Sequence, residues 1–147
     1  MSLRDWLKNS WLIEHKTSTE EIAALLALVE RDLANAQVAG LSPDWKLNIA
    51  YNAALQAATA ALAAGGFRAA REQHHYRTIQ SLALTISWQA AKVSQFDRFR
   101  KKRNIGGYET AGLVSDREAA EMRELAAALR KDVLIWLRKN HPKLLPR

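Results

Sequence analysis

Apolar residues recur along the chain at the three- and four-residue intervals of an amphipathic helix, and the residues between them carry helix start and stop signals. Leu3, Trp6, Leu7, Trp11, Leu12 and Ile13 begin at helical spacing and end as an apolar clump, which predicts an N-terminal arm or short helix over residues 1–16. Its two tryptophans suit docking on the body better than a subunit contact, because large aromatics tend to be buried. The remainder, residues 17–147, reads as one helical bundle domain. Ser18 and Glu21 have the spacing of a capping box, and the helix they open carries Ile22, Leu25, Leu26, Val29, Leu33 and Ala36 on one stripe before Gly40. Arg31 and Asp32 fall off the stripe and read as a solvated pair or as residues flanking a cleft.

Ser42-Pro43-Asp44 is a second start signal, with an N-cap serine, a proline at the first helical position and an acid at the positive helix end. The helix it opens carries Leu47, Ala50, Tyr51, Ala54, Leu55, Ala58, Ala61 and Leu62 on one face, has alanine flanks, and stops at Gly65-Gly66. Small residues on several sides admit close neighbours, so this helix belongs at the centre. After a basic connection over residues 67–72, Gln73-His74-His75-Tyr76-Arg77 leads into a third helix with Ile79, Leu82, Ala83, Ile86, Ala90 and Val93 inward. Ser115-Asp116-Arg117-Glu118 is another capping box and opens the longest helix. That helix has Met122, Leu125, Ala126, Leu129, Val133, Trp136 and Leu137 on its stripe, widened by Leu134 and Ile135, and closes at Asn140-His141-Pro142. Alternating β-branched runs are missing, so the fold class is all-α, a bundle of four to five main helices, and no sheet is expected.

Composition narrows the chemistry. There is no cysteine among the 147 residues, which excludes disulfides and cysteine-ligated metal sites. No apolar run reaches the roughly 20 residues that span a bilayer, and charges interrupt the N-terminus too often for a signal peptide. A soluble, cytoplasmic protein without a membrane partner is the expectation. Net charge is +7, yet residues 1–95 hold nine Lys/Arg against eight Asp/Glu, whereas residues 96–147 hold thirteen against seven. Such a local cationic excess favours phosphate-rich partners. Part of it has a structural origin, since acids gather at the start of the longest helix and cations at its end, as the helix dipole favours.

The excess begins at Phe96-Asp97-Arg98-Phe99-Arg100-Lys101-Lys102-Arg103-Asn104, followed by Ile105-Gly106-Gly107-Tyr108. Phe96 and Phe99 can anchor one helix face, leaving Arg98, Lys101 and Lys102 outward, with Arg100 and Arg103 as a neighbouring row. On an uninterrupted helix Arg103 and Tyr108 would stand about 140° apart, and the two glycines free the backbone to bring them together. A basic helix that is merely solvated is the structural alternative. His74-His75 reads as a polar junction or as the lining of a nucleic-acid cleft. No metal is expected there, because adjacent helical residues point about 100° apart and no HExxH accompanies them.

These residues carry a resemblance. Tyr51-Asn52-Ala53-Ala54, Gly65-Gly66-Phe67-Arg68, His74-His75 and the basic run through Asn104 together resemble the HEPN superfamily of prokaryotic helical-bundle proteins over roughly residues 17–142. The resemblance implies a homodimer and, in many members, a metal-independent endoribonuclease with no cofactor, including the RNA-targeting toxins of toxin–antitoxin and defence systems. The family motif is an arginine, a polar neighbour and a histidine four to six residues after the arginine. Arg103 matches the arginine and Asn104 the neighbour, while Tyr108 stands where the histidine is expected. Arg103, Asn104 and Tyr108 are therefore the expected catalytic set at a dimer cleft. Arg98, Arg100, Lys101, Lys102, His74 and His75 are the expected contacts to RNA, whether tRNA or mRNA.

Tyrosine in the histidine position weakens proton transfer, because a phenol near pKa ~10 is only about one part in a thousand ionised at neutral pH. His74 or His75 could supply the missing imidazole if the third helix begins near the site. The second implied function is a catalytically inactive RNA-binding or protein-interaction module paired with a nucleotidyltransferase antitoxin. Some relatives carry a tyrosine, modified with AMP by that partner, two residues beyond the histidine, a position held here by Thr110.

Overall fold

Alanine determines what occupies the middle of the molecule. The computed structural model describes residues 1–105 and 113–145, with Asn104 and Ile105 described in their backbone only. Helix α3 (Pro43–Ala64) buries Ala50, Ala53, Ala54, Ala57, Ala58, Ala60, Ala61, Ala63 and Ala64, together with Leu47, Tyr51, Leu55 and Leu62. Buried methyls on every side leave room for other helices to approach closely. Helices α2 (Thr19–Asn35) and α7 (Asp116–Asn140) pack most extensively against it. Ile22 and Val29 of α2 and Met122, Leu129, Val133 and Leu137 of α7 fill the contact, all fully buried.

The start signals work as local chemistry dictates. Ser42 Oγ accepts from the Trp45 N–H at 3.4 Å, with Pro43 in the first turn of α3. At α7 the capping box is complete: Ser115 Oγ accepts from the Glu118 N–H at 3.0 Å, and the Ser115 N–H donates to Glu118 Oε1 at 3.1 Å. At α2 only half forms. Ser18 Oγ accepts from the Glu21 N–H at 3.1 Å, but the Glu21 carboxylate takes the Thr17 hydroxyl and His15 Nε2 instead, each at 2.7 Å. Those two bonds hold Glu21 below the usual carboxylate range, Thr17 contributing most.

Four expectations need correction. A sheet is present: β1 (Leu12–Glu14) pairs antiparallel with β2 (Phe67–Ala69) in the register Leu12 to Ala69, Ile13 to Arg68 and Glu14 to Phe67. Three-residue strands are too short to show an alternating pattern, and the ladder is closed by tertiary placement. Helix α1 (Leu3–Lys8) leads into it, and Trp6, Leu12, Leu62, Phe67 and Ala69 bury a second, smaller cluster beneath it. Gly66, at φ +96°, makes the turn out of α3 that L side chains rarely make.

The continuous third helix is in fact α4 (His74–Gln80), α5 (Leu82–Thr85) and, after a break, α6 (Ala90–Ile105). Ser87 sits in the left-handed region at φ 56°, and the break swings Trp88 into the core, where its Nε1–H donates to Asp132 at 2.9 Å. Ala83 and Ala90 are consequently exposed rather than inward. Asp32 is not solvated. It is buried at 5% exposure and accepts from Asn52 Nδ2 at 2.9 Å and Arg31 Nε at 3.0 Å, while Arg31 itself stays exposed. Ile135 is exposed and does not widen the α7 stripe.

Candidate functional site

Helix α6 carries the cationic run, and its two phenylalanines set its rotation. Phe96 and Phe99 are buried, with Phe96 edge-on to Tyr51 of α3 at 5.6 Å between ring centroids and 77° between planes. With that face inward, residues three and four apart divide between the two flanks. On one flank, Arg98 and Lys102 lie beside the first turns of α7, and Lys102 Nζ stands 3.5 Å from Glu118 Oε2. Lys102 is thus partly engaged by a carboxylate rather than facing outward.

On the other flank Arg100 and Arg103 turn towards α3 and α4. The Arg103 guanidinium lies 5.0 Å from the centroid of the Tyr51 ring, and that of Arg100 lies 5.4 Å from Tyr76. Asp97, buried at 8% exposure, fixes this flank by accepting from Arg100 Nε at 2.7 Å and standing 3.7 Å from Lys101 Nζ. The geometry is that of charge-assisted bonds, which hold a guanidinium in one orientation.

Across from this row α4 begins. Gln73 adopts a left-handed conformation at φ 53° with no side-chain cap bond, so the chain enters α4 abruptly and presents His74 and His75 at its first turn. His75 Nδ1 is 3.2 Å from the Tyr51 hydroxyl, and the two rings are 6.0 Å apart. Tyr76 and Arg77 follow, with the Arg77 guanidinium stacked 3.6 Å over Trp11. Trp11 and its buried neighbour Trp6 therefore serve to anchor α4. Between α4 and α6 lies an open cleft of about 710 Å³, lined by Gln73, His74, His75, Tyr76 and Arg77 on one side and Asp97, Arg100 and Lys101 on the other. Its size is within the usual range for small-molecule and nucleotide sites.

Electrostatics sort the groups around it. Burial, then the charges of Arg103, His74 and Arg100, hold His75 below the ordinary imidazole value, so the ring is neutral at neutral pH. Tyr51 moves the other way: burial pushes its phenol up to about 12, only partly offset by Arg103 and Arg100. It stays protonated throughout the physiological range. A neutral imidazole whose Nδ1 is engaged by a neutral phenol has Nε2 left for a ligand, and it sits beside cations that would meet a phosphate.

The structure thus brings Arg100, Arg103, Lys101, His74 and His75 to one cleft or its edge, and sets Arg98 and Lys102 on the opposite flank of α6. Asn104 is in the last turn of α6, its side chain outside the described residues, and Tyr108 lies outside them altogether. Sequence reasoning missed Tyr51, Tyr76 and Asp97 as members of the site. Tyr51 had a signal: a phenol on an otherwise alanine and leucine face must find a hydrogen-bond partner when buried. Among the described residues no group of three or more His, Asp or Glu is arranged to hold a metal ion, and no helix is long and apolar enough to cross a membrane. No protein-family model, curated protein or solved structure matches the chain.

Proposed function

We propose that the chain is a HEPN-like protein that acts on RNA as a homodimer, cleaving it without metal at a cleft that includes Arg103. The observation that carries this reading is an open cleft in which Arg100 and Lys101 face the imidazole-bearing start of α4, with Arg103 behind it on the Tyr51 ring and close enough to His75 to act on its charge. Metal-free cleavage of RNA needs a cation for the charge that develops on phosphorus, a base for the ribose 2′-hydroxyl and an acid for the leaving 5′-oxygen. Arg103 answers the first need. By the resemblance, Asn104 is the polar neighbour of the motif arginine and a nucleotidyltransferase antitoxin is the partner of such a toxin, while Tyr108, in the place of the histidine, donates a proton or positions the phosphate.

Purified protein incubated with tRNA and with total RNA in EDTA tests the reading. Wild-type protein cuts, and Arg103→Ala loses at least two orders of magnitude, the usual cost of removing a group that stabilises transition-state charge. Uncut RNA, or equal cutting by Arg103→Ala, overturns the ribonuclease. RNA binding without cleavage, falling steeply with salt, would identify the non-catalytic module instead.

A further inference from the structure

The groups behind the cleft point to one that the arginine motif does not include. Tyr51 belongs to the buried centre, at 1% exposure, yet its hydroxyl reaches out of that centre to His75 Nδ1 at 3.2 Å. The same ring carries the Arg103 guanidinium on its face at 5.0 Å and Phe96 against its edge. One rigid side chain thus fixes the imidazole of α4 and the guanidinium of α6 relative to each other. His75 is half-buried and lines the cleft with Arg100 and Lys101 opposite.

From this geometry we propose that His75, oriented by Tyr51, is the proton-transfer residue of the site, taking the proton of the ribose 2′-hydroxyl at Nε2. The assignment rests on the ribonuclease reading above and supplies the imidazole that the motif position, occupied by Tyr108, lacks. In the tautomer with hydrogen on Nδ1, that N–H donates to the Tyr51 phenolic oxygen and Nε2 carries the lone pair. As Nε2 accepts the 2′-hydroxyl proton, the 2′-oxygen forms its bond to the adjacent phosphorus and the bond from phosphorus to the 5′-oxygen breaks. The leaving 5′-oxygen takes a proton from solvent water. The products are a 2′,3′-cyclic phosphate and a free 5′-hydroxyl, and the imidazolium returns its proton to solvent. The phenolic oxygen accepts from Nδ1–H before and after the transfer, so the ring does not turn during the step. Tyr51 acts through His75 and is a positioning residue.

The charged and titratable groups around His75 are Arg100, Lys101 and Arg103 from α6, with Asp97 against Arg100 and Lys101, Tyr51 from α3, and His74, Tyr76 and Arg77 from its own helix. A bound phosphate neutralises the arginines, so RNA raises the basicity of the imidazole at the moment the base is needed.

The test is a single-turnover pH profile of RNA cleavage in EDTA for wild type, His75→Gln, His75→Gly, Tyr51→Phe and Arg103→Ala. Binding of a 2′-deoxy oligonucleotide of matched sequence is measured for each. His75→Gln is expected to lose 100-fold or more in rate and the acid limb of the profile, with binding within a few-fold of wild type. Added imidazole partly restores His75→Gly, and Tyr51→Phe lowers the rate less than His75→Gln does and shifts the acid limb. If wild type cuts, Arg103→Ala does not, and His75→Gln cuts with an unchanged profile, the role of His75 is overturned while the ribonuclease stands. If wild type does not cut, both fall. An NMR titration of the His75 ring in the wild-type protein does not depend on any variant folding. An upward shift on adding the 2′-deoxy oligonucleotide supports the assignment, and an unmoved ring signal rejects it.

Discussion

His75 and Tyr51 are one hydrogen bond apart and are shifted in opposite directions from their ordinary values, which makes the pair visible in stability. The folded protein holds the imidazole below its ordinary value, so between the folded value and about 6.5 the unfolded chain binds more protons than the folded one. The stability His75 contributes is complete above about pH 6.5 and is lost as pH falls through the folded value. Tyr51, raised to about 12, contributes stability that is complete below about pH 10 and is lost as pH climbs to its folded value. Glu21 and Glu118, both held below the ordinary carboxylate value, act only in more acidic solution. Urea midpoints at pH 7.5 and 5.5, compared between wild type and His75→Gln so that the contributions of the other histidines cancel, therefore isolate His75. The midpoint is lower at pH 5.5 in wild type, and His75→Gln reduces the difference; an equal slope in the variant would show that the ring titrates freely.

Among the elements, α3 sets the tolerance of everything around it. Ala57 is fully buried, and Ala57→Leu inserts three carbons where helices already touch, which destabilises by roughly 1–3 kcal/mol. Denaturant unfolding checks this, and a loss below about 0.5 kcal/mol, the ordinary range of a surface change, would mean that the contact is looser than its burial suggests. Helix α3 was also the most legible element, because Ser42-Pro43 and Gly65-Gly66 mark both ends chemically and alanine marks all its sides. The start of α7 was equally plain from Ser115 and Glu118. The break at Ser87 was not, because no proline or glycine marks it: Trp88 reaches Asp132, 44 positions later, and that tertiary bond outweighs the local preference to continue the helix. Asp32 was misjudged for the same reason, since its partner Asn52 is on another helix.

In the whole molecule, charge and shape are divided more finely than the bulk excess of +7 suggests. The run over residues 98–103 supplies two flanks: Lys102 meets Glu118 of α7, whereas Arg100 and Arg103 meet aromatic faces beside the cleft. Sequence spacing could separate these rows but not say which one faced His74 and His75, because the turn into α4 depends on the sheet. That dependence has a consequence for heat. The large cluster, built on α2, α3 and α7 and joined by Ile79 of α4, Leu82 of α5 and Phe96 and Phe99 of α6, and the small one under β1 and β2 differ greatly in buried side chains, and free energies of local opening track such differences. Chain from β2 leads through residues 70–73 into α4, whose Arg77 stacks on Trp11 beside the smaller cluster while Ile79 and the Tyr51 bond to His75 belong to the larger one, so the imidazole is moored to both and the guanidiniums to the larger alone. The cleavage activity proposed above is expected to disappear several degrees below the temperature at which helical circular dichroism is lost, and coincident transitions would show the two clusters to be one cooperative unit. The three-residue ladder is then a thermal fuse: if it parts first, the entry to α4 loosens on one side while the bundle stays folded, and the proposed pairing of imidazole with guanidinium is held by the Tyr51 bond alone.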